Sequence, residues 1–310
     1  TADGRAWTRT RRGPTSTRFW WASVGKAFTA MVILGLVDEG RLDLDQALAD
    51  FAPTIANADG ITIRHLLAHT SGIYSFQADP DLRQRSGHIP PSELIAVASA
   101  HGPDFCPGSR WSYSNTGYVL LGQIIEAVEG APYHDVVNRR LLAPLVPEAA
   151  DPSAAIEALA PGASPRDLVP LAPGSAAASA PHHDLTTPFA AGVIAASSLD
   201  MARAWRRFLG GEVVSPAALA AMFAEVHPLF DSPVESYGLG VMVYRLAAAD
   251  PRERDVWLGH SGGTVGGKAL VAYSSARRAV VAVALTGEGA PEAIALHLLR
   301  VLDRATRERR

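Results

Sequence analysis

The chain has 310 residues, 48% of them hydrophobic and 19% charged, with a net charge of −3. That length supports one large or two medium cores, and the even charge balance offers no basic footprint for nucleic acid. No apolar run approaches the ~20 residues of a membrane span, and the single cysteine, Cys106, excludes an internal disulfide and a thiolate metal cluster.

Residues 4–9 read as a short strand. No charged-then-apolar leader precedes the fold, so a leader already removed and a later starting point both stay open. From Ser23 to about residue 39, the apolar residues Val24, Phe28, Met31, Val32, Leu34, Leu36 and Val37 are too dense for a surface helix. This stretch reads as a buried helix closed by Gly40. Residues 62–69 form a shorter helix and 92–101 a third. Residues 115–129 form a fourth, with Val119, Leu120, Ile124, Ile125 and Val128 inward and Gly130 as its stop. Nine prolines between 143 and 188 interrupt any regular pattern, which predicts a long irregular connection. The last third changes period: 239–246, 256–260, 269–274 and 279–286 read as strands, the last two joined by a turn at 275–278. A final helix runs from 291 to about 304. The order of elements predicts an α/β (α+β) fold, a sheet interrupted by an all-helical insertion. The expected division is a sheet domain of 1–45 plus 190–310 and a mainly helical domain of 46–189.

Three short stretches carry candidate chemistry. In Ser23-Val-Gly-Lys26, positions three apart share a helix face, so the amine of Lys26 can reach the hydroxyl of Ser23. A hydroxyl is a weak nucleophile until a base takes its proton, and a helix N-terminus adds a field that favours negative charge. A capping serine with a solvated lysine would show the same spacing. Against that, Lys26 lies in an apolar helix, and Lys26 and Lys268 are the only lysines among 28 basic residues. Arginine cannot lose its proton in a protein, whereas a buried lysine can. Tyr113-Ser-Asn115 brings a phenol able to relay a proton and an amide able to bind a carbonyl; it is also a plain helix cap. His260-Ser261-Gly262-Gly263, at the end of a strand, offers backbone N–H groups as an oxyanion hole, or is simply a glycine-rich turn.

Together these stretches resemble the penicillin-recognising serine hydrolases: DD-peptidases, serine β-lactamases of the AmpC kind and their esterase relatives. The likeness covers nearly the whole chain. It runs through 22–30 (Ala-Ser-Val-Gly-Lys-Ala-Phe-Thr-Ala) and 36–45 (Leu-Val-Asp-Glu-Gly-Arg-Leu-Asp-Leu-Asp). It continues in 61–72 (Ile-Thr-Ile-Arg-His-Leu-Leu-Ala-His-Thr-Ser-Gly), 107–118 (Pro-Gly-Ser-Arg-Trp-Ser-Tyr-Ser-Asn-Thr-Gly-Tyr) and 237–240 (Tyr-Gly-Leu-Gly). The resemblance implies an antiparallel sheet flanked by helices, Ser23 as nucleophile, Lys26 as general base and Tyr113 as proton shuttle. Which of the last two takes the first proton is left open. Asn115, His260 and Ser261 would contact substrate, with the N–H groups of Ser23 and Gly263 as the oxyanion hole beside Gly262. It implies no cofactor or metal, a small-molecule or peptide substrate with a scissile ester, amide or β-lactam, and an extracytoplasmic or secreted setting.

Two departures qualify the likeness. Only 22 residues precede Ser23, so the front of the sheet is expected to be incomplete and its edge uncovered. His260 stands where many relatives carry Lys, which favours the DD-peptidase and esterase branches. Competing readings are an acyltransferase or peptide cyclase using the same acyl-enzyme, a β-lactamase, and a non-catalytic penicillin-binding module. A metal hydrolase would draw on His65, His69 and the His182-His183-Asp184 cluster, but Leu66 stands where a zinc protease needs Glu.

Overall fold

The computed structural model describes residues 7–10, 14–145, 157–159, 161, 185–246, 254–264 and 266–307. Residues 7–9 carry no regular structure and Trp7 is exposed; residues 4–6 lie outside the described set. The front strand is instead β1 (Phe19–Trp20), which pairs antiparallel with β3 (Ile194–Ala196). Strand β2 (Glu157–Ala158) pairs with the other side of β3, so the expected irregular connection contributes one strand. Residues 146–156, 160 and 162–184, including His182–Asp184, lie outside the described residues.

Helix α1 (Gly25–Asp38) is buried nearly all round, as its apolar density predicts, and the chain leaves it through Gly40 at φ +69°. Helix α2 (Ile63–Ala68) opens on a reciprocal cap. The Thr62 side chain accepts from His65 N–H, and the Thr62 N–H donates to His65 Nδ1. Helix α3 (Pro91–His101) follows, then α4 (Asn115–Glu129), whose N-cap Ser114 accepts from Gly117 N–H and whose stop is Gly130 in the left-handed conformation. Helix α5 (Tyr133–Val137) runs through a wider π turn (Asn138–Leu142) into α6 (Ala143–Leu145). Past β3 come α7 (Ser198–Leu209) and α8 (Pro216–Ala224), neither of them among the expected helices.

The main sheet is fully antiparallel, in the order β4 (His227–Pro228), β5 (Glu235–Tyr237), β6 (Met242–Leu246), β7 (Asp255–Thr264), β8 (Gly267–Ser274), β9 (Ala279–Thr286). The strand expected over 239–246 begins only at Met242, because residues 238–241 turn the chain back on β5. Helix α9 (Pro291–Arg307) closes the fold.

Period-two alternation along β8 assigns its two faces. Ala269 and Val271 join the core built with α1, α4 and Trp205 and Phe208 of α7. Leu270 and Ala272 join Val281, Val283 and the α9 residues Ala295 and Leu299. Each large apolar side chain so buried contributes about 1.5–3 kcal/mol before entropy is charged against it. Helices therefore cover both faces of one antiparallel sheet, the fold class expected. Among the described residues β9 pairs on one side only. No helix among them is long and apolar enough to cross a membrane.

Candidate active site

Ser23 does not sit inside the long helix but in a 3₁₀ turn (Ala22–Val24) leading into α1. That turn hangs from the small sheet: Trp21 N–H donates to Ile194 O at 2.9 Å, and Ala22 is forced to φ +45°. A non-glycine residue in this region is strained, and strain of this kind concentrates at functional positions. The turn presents the Ser23 hydroxyl half-buried at the helix N-terminus.

The three-residue spacing survives the junction. Lys26 Nζ lies 3.2 Å from Ser23 Oγ and donates to Ala191 O at 2.8 Å. The amine is fully enclosed, 4.9 Å from the Tyr113 ring centre and 5.4 Å from that of Tyr118. Among the described residues no carboxylate pairs with it, and burial holds its pKa well below the ordinary lysine value. The segment that carries Ala191 is fixed by Thr29, which donates to the neighbouring Ala190 O at 2.6 Å and accepts from the Tyr133 hydroxyl at 2.7 Å. No local sequence signal could have found this acceptor, since it is backbone from a distant segment.

Tyr113 closes the other side of Ser23. Burial raises its pKa; the neighbouring Ser23 hydroxyl acts in the opposite sense. His69 lies under the Tyr113 ring at 4.1 Å between centres, and its Nδ1 accepts from Ser114 N–H at 3.1 Å. Its proton therefore sits on Nε2, a buried atom with no hydrogen-bond partner among the described residues. The metal reading of His65 and His69 loses its geometry, because one closes a helix cap and the other supports the tyrosine.

Asn115 is 3% exposed, and its amide donates to Gln77 Oε1. Gln77 itself is exposed, on a single 3₁₀ turn (Phe76–Ala78) too short to show a period in the sequence. The Asn115 amide is thus engaged with a neighbouring side chain of the protein.

His260–Gly263 lies in the last part of a strand, as expected, and not in a turn, although that strand is longer than expected: β7 continues to Thr264, with Ser261 opposite Leu270, Gly262 opposite Ala269 and Gly263 opposite Lys268. His260 is fully buried, close enough to Lys26 to feel its charge. Its Nδ1 meets Ser261 O and so must donate, leaving Nε2 to accept from the Tyr237 hydroxyl at 3.1 Å. Burial, then the Lys26 charge, push its pKa down to about 3. Ser261 is half-buried, its hydroxyl 3.5 Å from Met242 Sδ, and Gly263 is exposed. Gly262 packs on the nucleophile turn: a methyl there would lie 2.2 Å from Trp21 O and 3.1 Å from Ser23 N. That contact brings the Ser23 N–H alongside β7, as an oxyanion hole requires.

The unfolded chain binds a proton at His260 near 6.5 while the folded one does so near 3, so stability rises with pH across that window and the contribution is lost below it. Melting temperatures of His260→Gln are expected to fall less steeply than wild type between pH 6.5 and 3. Equal slopes would place the charge penalty elsewhere.

Comparison with known proteins adds to this geometry. A sequence-family model described as Beta-lactamase matches residues 1–305. The chain is 37% identical over 136 residues to penicillin-binding protein 4 of Amycolatopsis lactamdurans, covering 42% of this chain and 35% of that relative. It is 27% identical over 235 residues to the putative penicillin-binding protein PbpX of Bacillus subtilis, covering 73% and 54%. The matched part therefore spans between a third and about half of these curated relatives. Among solved structures, a D-stereospecific amidohydrolase from a Streptomyces species superposes with a TM-score of 0.75 at 33% identity, covering 90% of this chain and 84% of that one.

Proposed function

Because the chain belongs to the beta-lactamase family of serine hydrolases, we propose that it cleaves small amides or esters of D-configured amino acids through an acyl-enzyme on Ser23. The observation that carries the reading is a fully enclosed Lys26 amine, kept short of its usual basicity, 3.2 Å from the Ser23 hydroxyl. Ser23 Oγ attacks the carbonyl carbon as its proton passes to Lys26. The carbonyl oxygen, now negative, is held by the N–H groups of Ser23 and Gly263. On collapse, the bond to the leaving nitrogen or oxygen breaks, and that atom takes a proton relayed through Tyr113. Water then attacks the ester on Ser23 by the same proton route in reverse.

The D-stereospecific amidohydrolase supports the substrate class, being 33% identical along most of both chains.

The test pairs D- and L-alanine p-nitroanilides with intact-mass analysis after a fluorophosphonate. Expected are faster release from the D isomer, one adduct on wild type, and none on Ser23→Ala with turnover down at least about 10⁴-fold. An adduct that survives Ser23→Ala, or preference for the L isomer, would overturn the proposal.

A further inference from the structure

Phe230 combines three properties that its place in the fold does not require. It is 72% exposed; its backbone is left-handed at φ 47°, ψ 44°; and Asp231 follows at φ 59°. A bulky side chain on such backbone is disfavoured sterically, and a ring left in water returns little of that cost to the fold. The turn is nevertheless firmly held. Leu229 beneath it is buried, Ser232 N–H donates to Leu229 O at 2.8 Å, and the Ser232 hydroxyl accepts from Glu235 N–H at 3.1 Å.

This turn aims Phe230 at the candidate site. Its ring meets Trp111 edge-on at 5.3 Å and 88°, and stands 6.3 Å from Tyr113, the phenol beside Ser23. Trp111 is only half-buried, and its ring sits edge-on to His69 at 6.0 Å. Phe230, Trp111 and Tyr113 thus form a continuous aromatic wall running from solvent to the nucleophile. Edge-on and offset ring pairs are favourable, and the exposed Phe230 ring and half-buried Trp111 ring leave aromatic surface for a further ring to meet.

We propose that this wall is a specificity subsite that takes an aromatic or large apolar group of the substrate next to the scissile bond. The proposal rests on Ser23 being the nucleophile. The group can belong to the acyl part or to the leaving group, and the two arms of the experiment separate these.

In the first arm, kcat/KM is measured for D-phenylalanine against D-alanine p-nitroanilide; in the second, for the benzyl against the methyl ester of D-alanine. Wild type is expected to prefer the aromatic member of one pair, and Phe230→Ala to lower that ratio about fivefold to tenfold. Phe230→Tyr is expected to restore it. Phe230→Gly relieves the left-handed backbone, so it is expected to melt no lower than wild type while losing the same preference; a merely structural residue would not separate the two readouts. Ratios unchanged by Phe230→Ala in both arms overturn the subsite. Fluorophosphonate labelling run alongside distinguishes the cause: label on Ser23 with unchanged ratios removes the subsite alone, whereas no label removes the nucleophile and the subsite with it.

Discussion

Lys26→Arg is expected to lower kcat about a thousandfold, close to the effect of Lys26→Ala. Arginine keeps the charge and the reach but cannot release its proton at any usable pH, so it cannot accept one from Ser23. The prediction separates a base from a fixed charge. A positively charged residue that merely stabilised the oxyanion would tolerate the exchange, with a loss of a few-fold. The enclosure of Lys26 makes the same point through pH. Its folded pKa lies well below 10.5, so kcat/KM is expected to rise with pH from the acid side and level off before the ordinary lysine range. In Lys26→Ala that acid limb should vanish along with most of the rate. Stability has a related dependence. Between the folded value and the unfolded 10.5, the unfolded chain binds the extra proton, so stability gains with rising pH and the penalty is largest below the folded value. A pH–rate profile of wild type and both variants decides the matter; an active Lys26→Arg would end the general-base assignment.

Gly262→Ala is the second large effect, expected to cost about a thousandfold in kcat/KM and about 3 kcal/mol of stability. The added methyl would meet two backbone groups, Trp21 O at 2.2 Å and Ser23 N at 3.1 Å, neither of which can swing aside as a side chain could. Relief must come from β7 moving away from the nucleophile turn, which parts the two N–H groups that would bind the oxyanion. Gly263→Ala supplies the control. Its methyl would lie 3.3 Å from Lys268 Cδ, the flexible middle of a long side chain, so the loss is expected to be several-fold at most. Chemical denaturation and steady-state kinetics of the pair measure both quantities, and similar losses in the two variants would refute the backbone-contact argument.

Much of this was legible locally. The apolar density from Val24 to Leu36 predicts a helix buried all round, and α1 is one. Ser114 and Gly130 mark the ends of α4, because a cap needs an oxygen at one end and a left-handed residue at the other. Helix α8 is almost wholly alanine and other apolar residues, so it shows no helical period; α7 was legible, with Ser197 as its cap and Met201, Ala204, Trp205 and Phe208 on one face. Strand β7 was cut short because His-Ser-Gly-Gly has the composition of a turn. Its partner β8 and the turn it packs on hold it extended.

At the site, the sequence by itself determined the pairing of Ser23 with Lys26, since three-residue spacing fixes a short distance through the backbone alone. The scarcity of lysine and the ordered neighbours Tyr113 and Asn115 marked the chemistry. Tertiary structure alone decided the state of each group. The carbonyl that anchors the Lys26 amine comes from Ala191, 165 residues away, and the ring under Tyr113 comes from His69. His260, within β7, packs against Tyr237 and has its pKa lowered by burial, while Gln77, the partner of the Asn115 amide, stands exposed. The physical reason is common to all four. Burial and desolvation depend on which distant segments close over a group, and those choices are made by packing, not by the residues on either side of it.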